Sequence, residues 1–248
     1  MAMGPISTGT FIKDLKPLVK RWFGVAYKEY PAVWSQVFKT DPSNDAYEEY
    51  QAFAGLGLMQ TKPEGSAINY DTAHQFFNYK LTAVTYGLGF KVTREYMEDG
   101  KALRFAKRNA VELKRSSLRA KEIVAANILN RAFNASYTFG DGKVLCSASH
   151  PTYGADNSNT LAVAADLSEA SIEQAMLDIQ AMVDNRGLKM QVMGKQLVIP
   201  KELQFEAARL LKNPARPGTA DRDINALNYL NMLQNTPIVW QNLTDADA

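Results

Sequence analysis

From Lys101 to Ala135 the sequence contains no glycine and no proline, and this stretch constrains the fold more than any other. Helix-forming residues dominate it and predict an unbroken helix of roughly 30 residues, about 45 to 50 Å long. Helices in compact globular domains are usually much shorter. At about 100° per residue, Leu103, Ala106, Ala110, Leu113, Ala120, Val124 and Ile128 share one face, the spacing of an amphipathic helix. Lys101, Arg104, Arg108, Arg115 and Arg119 share the opposite face. Between Lys101 and Lys121 eight basic residues stand against one acid, a local charge of +7 in a chain whose total is only +2. The near-neutral total therefore hides one strongly basic element. That element reads either as the solvated side of a surface helix or as a rail for a polyanion or for acidic neighbouring subunits.

The remaining composition narrows the class. A chain of 248 residues with 46% apolar content has enough material for one large domain or two modest ones, which excludes a disordered tail protein. The single cysteine, Cys146, cannot form an intramolecular disulfide, which excludes a disulfide-stapled secreted scaffold. The longest strictly apolar run, Leu161 to Ala165, falls far short of the roughly 20 residues of a membrane span. Met1 to Pro5 lacks the pattern of a signal peptide. The expectation is a cytosolic chain with no membrane contact.

Ahead of the long helix lie two distinct segments. Residues 11–38 are aromatic-rich, with Phe11, Trp22, Phe23, Tyr27, Tyr30, Trp34 and Phe38 interrupted by Pro17 and Pro31. Such a segment cannot cover its own aromatic surface and is expected to pack along something else. Residues 51–90 read as a long β-hairpin. Lys62-Pro63-Glu64-Gly65 suits its turn, with Pro second and Gly fourth, and Phe77, Tyr79 and Leu81 alternate with polar residues on the return strand. A projecting hairpin is marginal alone and offers edges to another chain. Beyond the helix, Asp141-Gly142 suits a turn, and Ser168 suits the N-cap of a helix with Ile172, Met176, Ile179 and Val183 on its apolar face. Asn185-Arg186-Gly187 reads as that helix's stop. Leu197-Val198-Ile199 is expected as a buried strand, and Pro200 opens a helix carrying Leu203, Ala207, Leu210 and Leu211. Ile238-Val239-Trp240 reads as a last short strand.

Chemistry is sparse. Cys146 and His150 form the one Cys/His pairing, two ligands where structural zinc takes four, and the other histidine, His74, is far away in sequence. As a nucleophile and base they lack an identifiable orienting group. Gly87-Leu88-Gly89 is not a dinucleotide fingerprint, and no phosphate-binding loop of the Walker kind occurs. Neither a catalytic site, a cofactor nor a metal is expected. A projecting hairpin, an aromatic arm and a long helix point to a protein whose surfaces are its function.

Several runs of residues resemble one family in order along the chain. These are Tyr86-Gly-Leu-Gly-Phe-Lys-Val-Thr-Arg-Glu-Tyr-Met-Glu-Asp99, Ala125-Ala-Asn-Ile-Leu-Asn-Arg-Ala-Phe-Asn134, Asp141-Gly142 through Ser149-His150-Pro151, Asp184-Asn-Arg-Gly187, Leu197-Val-Ile-Pro200 and Pro217-Gly-Thr-Ala-Asp221 through Leu227. Together they resemble the major head proteins of tailed phages, of the phage Mu-like type. The resemblance implies an α+β fold of the Hong Kong 97 capsid type. It makes residues 1–50 an N-terminal arm, 51–90 an extended loop hairpin, 91–137 the spine helix of a peripheral domain, and 138–248 mainly an axial domain. It implies self-assembly into hexamers and pentamers of an icosahedral head that encloses double-stranded DNA without sequence specificity, with scaffolding, portal and decoration proteins as further partners. The virion, assembled in the host bacterial cytoplasm, is the implied location. Expected inter-subunit contacts are Trp22, Phe23 and Trp34 of the arm and Lys62, Pro63, Glu64, Phe77 and Tyr79 of the hairpin. Members of this type continue past the Leu243 to Asp247 region with further strands, so either this member is shorter or a segment that would complete the peripheral sheets is missing. Two rivals stand beside this expectation: a nucleic-acid-binding module using the basic face, and a hydrolase built on Cys146 and His150.

Overall fold

A computed structural model describes residues 20, 32–93, 95, 102–215, 223–230, 233–234 and 236–244. Trp22, Phe23 and Lys101 lie outside the described residues. Helices and strands are mixed, as the α+β expectation requires. In chain order they are α1 (Trp34–Val37), β1 (Tyr47–Ala54), β2 (His74–Thr82), α2 (Ala102–Asn130), α3 (Glu169–Ala181), β3 (Val198–Ile199), α4 (Gln204–Lys212), α5 (Ala226–Leu230) and β4 (Ile238–Val239), with a 3₁₀ turn at Lys201–Leu203 leading into α4. The chain divides into two compact units, Met1–Thr40 with Val84–Ala125, and Asp41–Ala83 with Ala126–Ala248.

The first unit contains most of α2, whose 29 residues make a rod of about 43 Å. Its length matches the expectation, but its buried face does not. The buried positions are Ala106, Ala110, Lys114, Leu118, Glu122 and, at the helix's far end, Ala126. They recur every fourth residue, a ridge that winds around the helix by about 40° per step. The expected apolar face therefore holds fully at Ala106 and Ala110 and partly at Leu113 and Ala120. Leu103, Val124 and Ile128 are each about two-fifths exposed (42%, 41% and 42%). Two charged residues lie on the buried ridge, and neither lacks a partner. Glu122 shows why one of them is there: its Oε1 accepts the Val33 N–H at 2.7 Å. Val33 is the N-cap of α1 and has no side-chain acceptor of its own, so a carboxylate from α2 serves the orphan amide.

The core of the second unit is built by Ile172 and Met176 of α3, Leu210 and Leu211 of α4, Leu227 of α5 and Leu233. Local sequence sets up these helices. Ser168 begins α3 as expected: its Oγ accepts the Ser171 N–H at 3.2 Å while the Ser168 N–H donates to Ser171 Oγ at 2.9 Å, a reciprocal cap. The expected stop at Asn185-Arg186-Gly187 is displaced. The helix already ends at Ala181, where Met182 turns extended, and Val183 bridges to Lys189. Gly187, at φ +80°, closes a separate turn from Asp184. Pro200 opens the 3₁₀ turn, and α4 buries Ala207, Leu210 and Leu211. The two short strands pair in parallel, Val198 with Ile238 and Ile199 with Val239, and Trp240 is fully buried beside them, its backbone N–H donating to Ile199 O at 2.9 Å. The 242–244 segment is tied to the end of α2 by Asn130, whose Nδ2 donates to Asn242 O at 3.0 Å and whose Oδ1 accepts the Thr244 N–H at 3.1 Å.

Asn225, only 1% exposed, joins α4 to α5. Its Nδ2 donates to Leu210 O at 2.6 Å and Asn213 O at 2.9 Å, and its Oδ1 accepts the amides of Leu227 at 3.1 Å and Asn228 at 3.3 Å. One side chain thus satisfies the orphan carbonyls of one helix and the orphan amides of the next. Asn225→Ala strands these groups and is expected to cost about 2 to 4 kcal/mol in urea denaturation. An unchanged midpoint would show that the junction carries no stability.

Candidate functional site

The strands β1 and β2 form an antiparallel pair, with Tyr50 opposite Tyr79 and Ala54 opposite His74, and with an irregularity between Gln51 and Phe53. A two-stranded ribbon is marginal in water by itself. This one is seated on the turn that follows α2 in sequence. In that turn the Phe139 N–H donates to Lys143 O at 2.8 Å, and Gly142 adopts φ +77°, so Asp141-Gly142 turns the chain as expected. Gly140 is the contact point. A Cβ there would lie 2.6 Å from Tyr79 Cβ and 3.0 Å from the Phe77 ring, so the closeness of the ribbon requires glycine. Phe77 and Tyr79, expected as contacts between subunits, are thus half-buried against their own chain. Beside them opens an apolar groove of about 350 Å³ lined by Tyr50, Ala52, Phe77, Tyr79, Phe139 and Leu145, with Gln51, Gly140 and Asp141.

Beyond Ala54 and His74 the strands stop, and residues 55–73 form a loop without regular structure. Lys62, Pro63 and Glu64 are exposed there. The turn is shifted by one residue from its expected frame. The Ser66 N–H donates to Pro63 O at 3.2 Å, which makes Pro63 first and Gly65 third, at φ +79°. The third position of a type II turn requires positive φ, whereas the fourth does not, so Gly sets the frame. The loop bares large apolar side chains: Met59 is 96% and Tyr70 is 91% exposed, with Leu56, Leu58 and Ile68 also exposed. Its neck is gripped by Arg186. The guanidinium donates from Nε to Gly55 O at 2.9 Å and from Nη2 to Thr72 O at 2.7 Å, with Asp71 Oδ1 at 3.3 Å. The amide of Gly57 foremost, then that of Thr72, hold the Asp71 carboxyl below its ordinary range against the opposing effect of desolvation, with Arg186 adding to them. The sequence reading passed over Arg186, taking it as part of a helix stop.

Among the other expected positions, Trp34 lies half-buried in α1. On α2, Arg104, Lys107, Arg108, Arg119 and Lys121 are exposed. Arg115 is half-buried and pairs with Glu112 at 2.7 Å, a local helix pair of small energy, and Lys114 lies on the buried ridge.

The Cys146 and His150 pair does have an orienting group, contrary to the sequence reading. His150 Nδ1 lies 2.6 Å from Asp141 Oδ2, and the loop is fixed by backbone bonds between His150 and Asn157 at 2.7 and 2.9 Å. Burial, the largest influence, pushes Asp141 up, yet the His150 hydrogen bond and the Lys143 amide together hold it below its ordinary value. Nδ1 is the ring nitrogen turned to the carboxylate, and the buried Nε2 has no hydrogen-bond partner among the described residues. Burial pushes the Cys146 thiol up, the opposite of what a thiolate nucleophile needs. Among the described residues no three His, Cys, Asp or Glu side chains group as a metal site, and no helix is long and apolar enough to cross a membrane.

A family model described as phage capsid protein matches residues 78–248. The chain belongs to this family. Among curated proteins no relative matches. Among solved structures the chain is similar to a procapsid of bacteriophage JBD30 computed in I4 symmetry, with a TM-score of 0.60, 16% identity, and coverage of 94% of this chain and 99% of that one. At that identity the likeness speaks for the fold, mixed helix and strand as in a procapsid subunit.

In this capsid protein the ribbon seat and the His150–Asp141 pair lie next to each other in the chain, at Gly140 and Asp141. Two outcomes follow. Gly140→Val forces the ribbon off its seat and is expected to raise hydrogen exchange across residues 74–82 by about tenfold or more, with a loss of about 1 to 3 kcal/mol; unchanged exchange would mean the ribbon does not rest there. Asp141 has a lowered folded-state pKa, so its contribution is present above the ordinary value of 3.8 and is lost as pH falls through the lowered value. Asp141→Asn should flatten that part of the acid-denaturation profile, and an identical acid slope in the variant would refute it.

Proposed function

We propose that this chain is the major capsid protein of a tailed double-stranded DNA phage, with a Hong Kong 97-type fold and kinship to the phage Mu-like head subunits. Copies assemble into hexamers and pentamers of an icosahedral head, built in the host cytoplasm, that encloses the genome. Its work is structural and not enzymatic. The observation that carries this reading is the loop between β1 and β2. Its neck is held by hydrogen bonds, yet Leu58, Met59, Ile68 and Tyr70 stand bare in water. Soluble monomers rarely expose clustered apolar side chains of this kind, which mark a surface that a partner covers. Family membership makes a second copy the natural partner, and many modest contacts of this sort, repeated by symmetry, close a shell. On this reading residues 1–50 serve as an arm across a neighbour, with Trp22, Phe23 and Trp34 as its anchors. Residues 51–90 carry the extended loop, 91–137 the spine helix, and 138–248 mainly the axial domain. Scaffolding, portal and decoration proteins complete the set of partners.

The exposed Arg104, Lys107, Arg108, Arg119 and Lys121 support contact with the enclosed DNA through phosphates and without sequence specificity. The same observation favours the second reading, a free nucleic-acid-binding module. Electron microscopy and sedimentation of the purified protein separate the two, since ordered shells or capsomers belong to the first and a monomer with steeply salt-dependent DNA affinity to the second. Deleting residues 58–70 is expected to leave a soluble subunit with its melting temperature nearly unchanged and to abolish ordered assemblies. Normal shells from that deletion would rule the loop out as an assembly contact.

A further inference from the structure

We infer that Arg186 is a positioning residue for assembly: it locks the neck of the 55–73 loop and so sets the direction in which Leu58, Met59 and Tyr70 are presented to a neighbouring copy. This rests on the assembly reading above.

Strand pairing ends at Ala54 and His74. A strandless loop of this length has no intrinsic direction, and ordering it costs conformational entropy. The neck supplies what pairing does not. Gly55 lies on the outgoing side and Thr72 on the returning side, and one guanidinium donates to both carbonyls, at 2.9 and 2.7 Å. Because the donors of arginine sit in a rigid planar fork, the two bonds fix the spacing of the two sides. A second tie lies beside the first. Asp71, on the returning side, accepts the Gly57 N–H of the outgoing side at 2.7 Å and meets Arg186 Nη2 at 3.3 Å.

Arg186 is itself held. Asp184 Oδ1 accepts the amides of Arg186 at 2.8 Å and Leu188 at 2.9 Å, and Gly187 at φ +80° completes the turn. The guanidinium lies 5.1 Å from the Tyr153 ring centre, and Tyr153 stacks on His74 at 4.8 Å and 15°. His74 is the first paired residue after the loop. The arginine side chain is only 15% exposed, whereas the loop's apolar side chains are nearly bare. The lock thus orders a backbone that buries almost nothing in its own subunit. Such ordering does little for the subunit's stability. It matters when a partner must meet the loop in one orientation, because the entropy has then been lost before association.

The distance test uses the full chain with Cys146→Ala and a pair of spin labels at Thr61→Cys and Glu206→Cys, both exposed, and assembly is followed on the unlabelled full chain, with and without the Arg186 substitutions. The parent should give one narrow distance distribution. Arg186→Gln should broaden it by about twofold or more and slow assembly about tenfold, with the melting temperature within about 3 °C of the parent. Arg186→Lys, which can reach one carbonyl but not fork to both, should fall between them. A distribution as narrow in Arg186→Gln as in the parent overturns the inference, as does a broadened loop that assembles at the parental rate. Should Arg186→Gln fail to fold, Arg186→Lys carries the same comparison. A parent that forms no ordered assemblies defeats the assembly reading itself, and this inference with it. A parent that assembles no faster than Arg186→Gln defeats this inference alone.

Discussion

The β1–β2 ribbon is held where Gly140 lets Tyr79 and Phe77 come down onto the backbone of the Phe139–Lys143 turn. Two strands without a third cannot keep their shape by backbone hydrogen bonds alone, because both edges remain solvated and one face must find cover. Here the cover is a turn and not a sheet, so the fit depends on a missing side chain. Everything further along the ribbon inherits its position from this seat. The strands carry it to Ala54 and His74, Arg186 carries it past their end, and the loop receives a defined starting direction. The seat and the neck are separate in kind: one is close packing, the other hydrogen bonding around a charge. Neither substitutes for the other.

The long helix follows a different logic. A rod of 29 residues buries every fourth residue from Ala106 to Ala126, a row that winds slowly around the helix and so departs from a straight apolar stripe. Alanine at positions 106, 110 and 126 permits close approach, while Lys114 and Glu122 are buried at positions that a purely apolar stripe would have filled. Glu122 offsets its desolvation by accepting the Val33 amide, so a long-range polar contact ties α1 to α2. The apolar residues left outside the ridge, Leu103, Ile123, Val124 and Ile128, are then not errors of folding. They are surface that this subunit alone does not use.

How much of this was legible follows from the range of each cause. The length of α2 is a local property, set by the absence of Gly and Pro, and it was readable. Ser168 and Pro200 act within one turn of themselves, and they too were readable. The buried face of α2 was not, because burial is set by contacts distant in sequence, such as the Val33 amide on Glu122, and these put charged residues on positions that an apolar pattern does not select. The turn at Lys62 to Ser66 was recognised but placed one residue off, since proline fits two positions and only the positive φ of Gly65 decides. Asp141 was read as a turn former, which it is, and its second role toward His150 lay nine residues away. Arg186 was the least visible. Its acceptors at Gly55 and Thr72 are 131 and 114 residues distant. The available hint was an arginine in a tight Asp-Asn-Arg-Gly turn, where the aspartate suits the turn's own amides and leaves the guanidinium to reach elsewhere.

The distribution of apolar surface links the structure to its role. The core of the second unit rests on a handful of side chains from α3, α4, α5 and Leu233, while Met59, Tyr70, Phe205 and Tyr229 remain largely exposed. In a monomeric enzyme such an allocation would be a liability, since exposed apolar area favours indiscriminate association. In a phage capsid protein the same area is free energy held back from folding and released on assembly. It contributes only when neighbours arrive in the right orientation, so association by one contact is weak and association by several is strong. That places the burden on the elements that fix orientation. The glycine seat and the arginine neck are small in energy, yet they decide whether the exposed surface meets its partner or merely sticks.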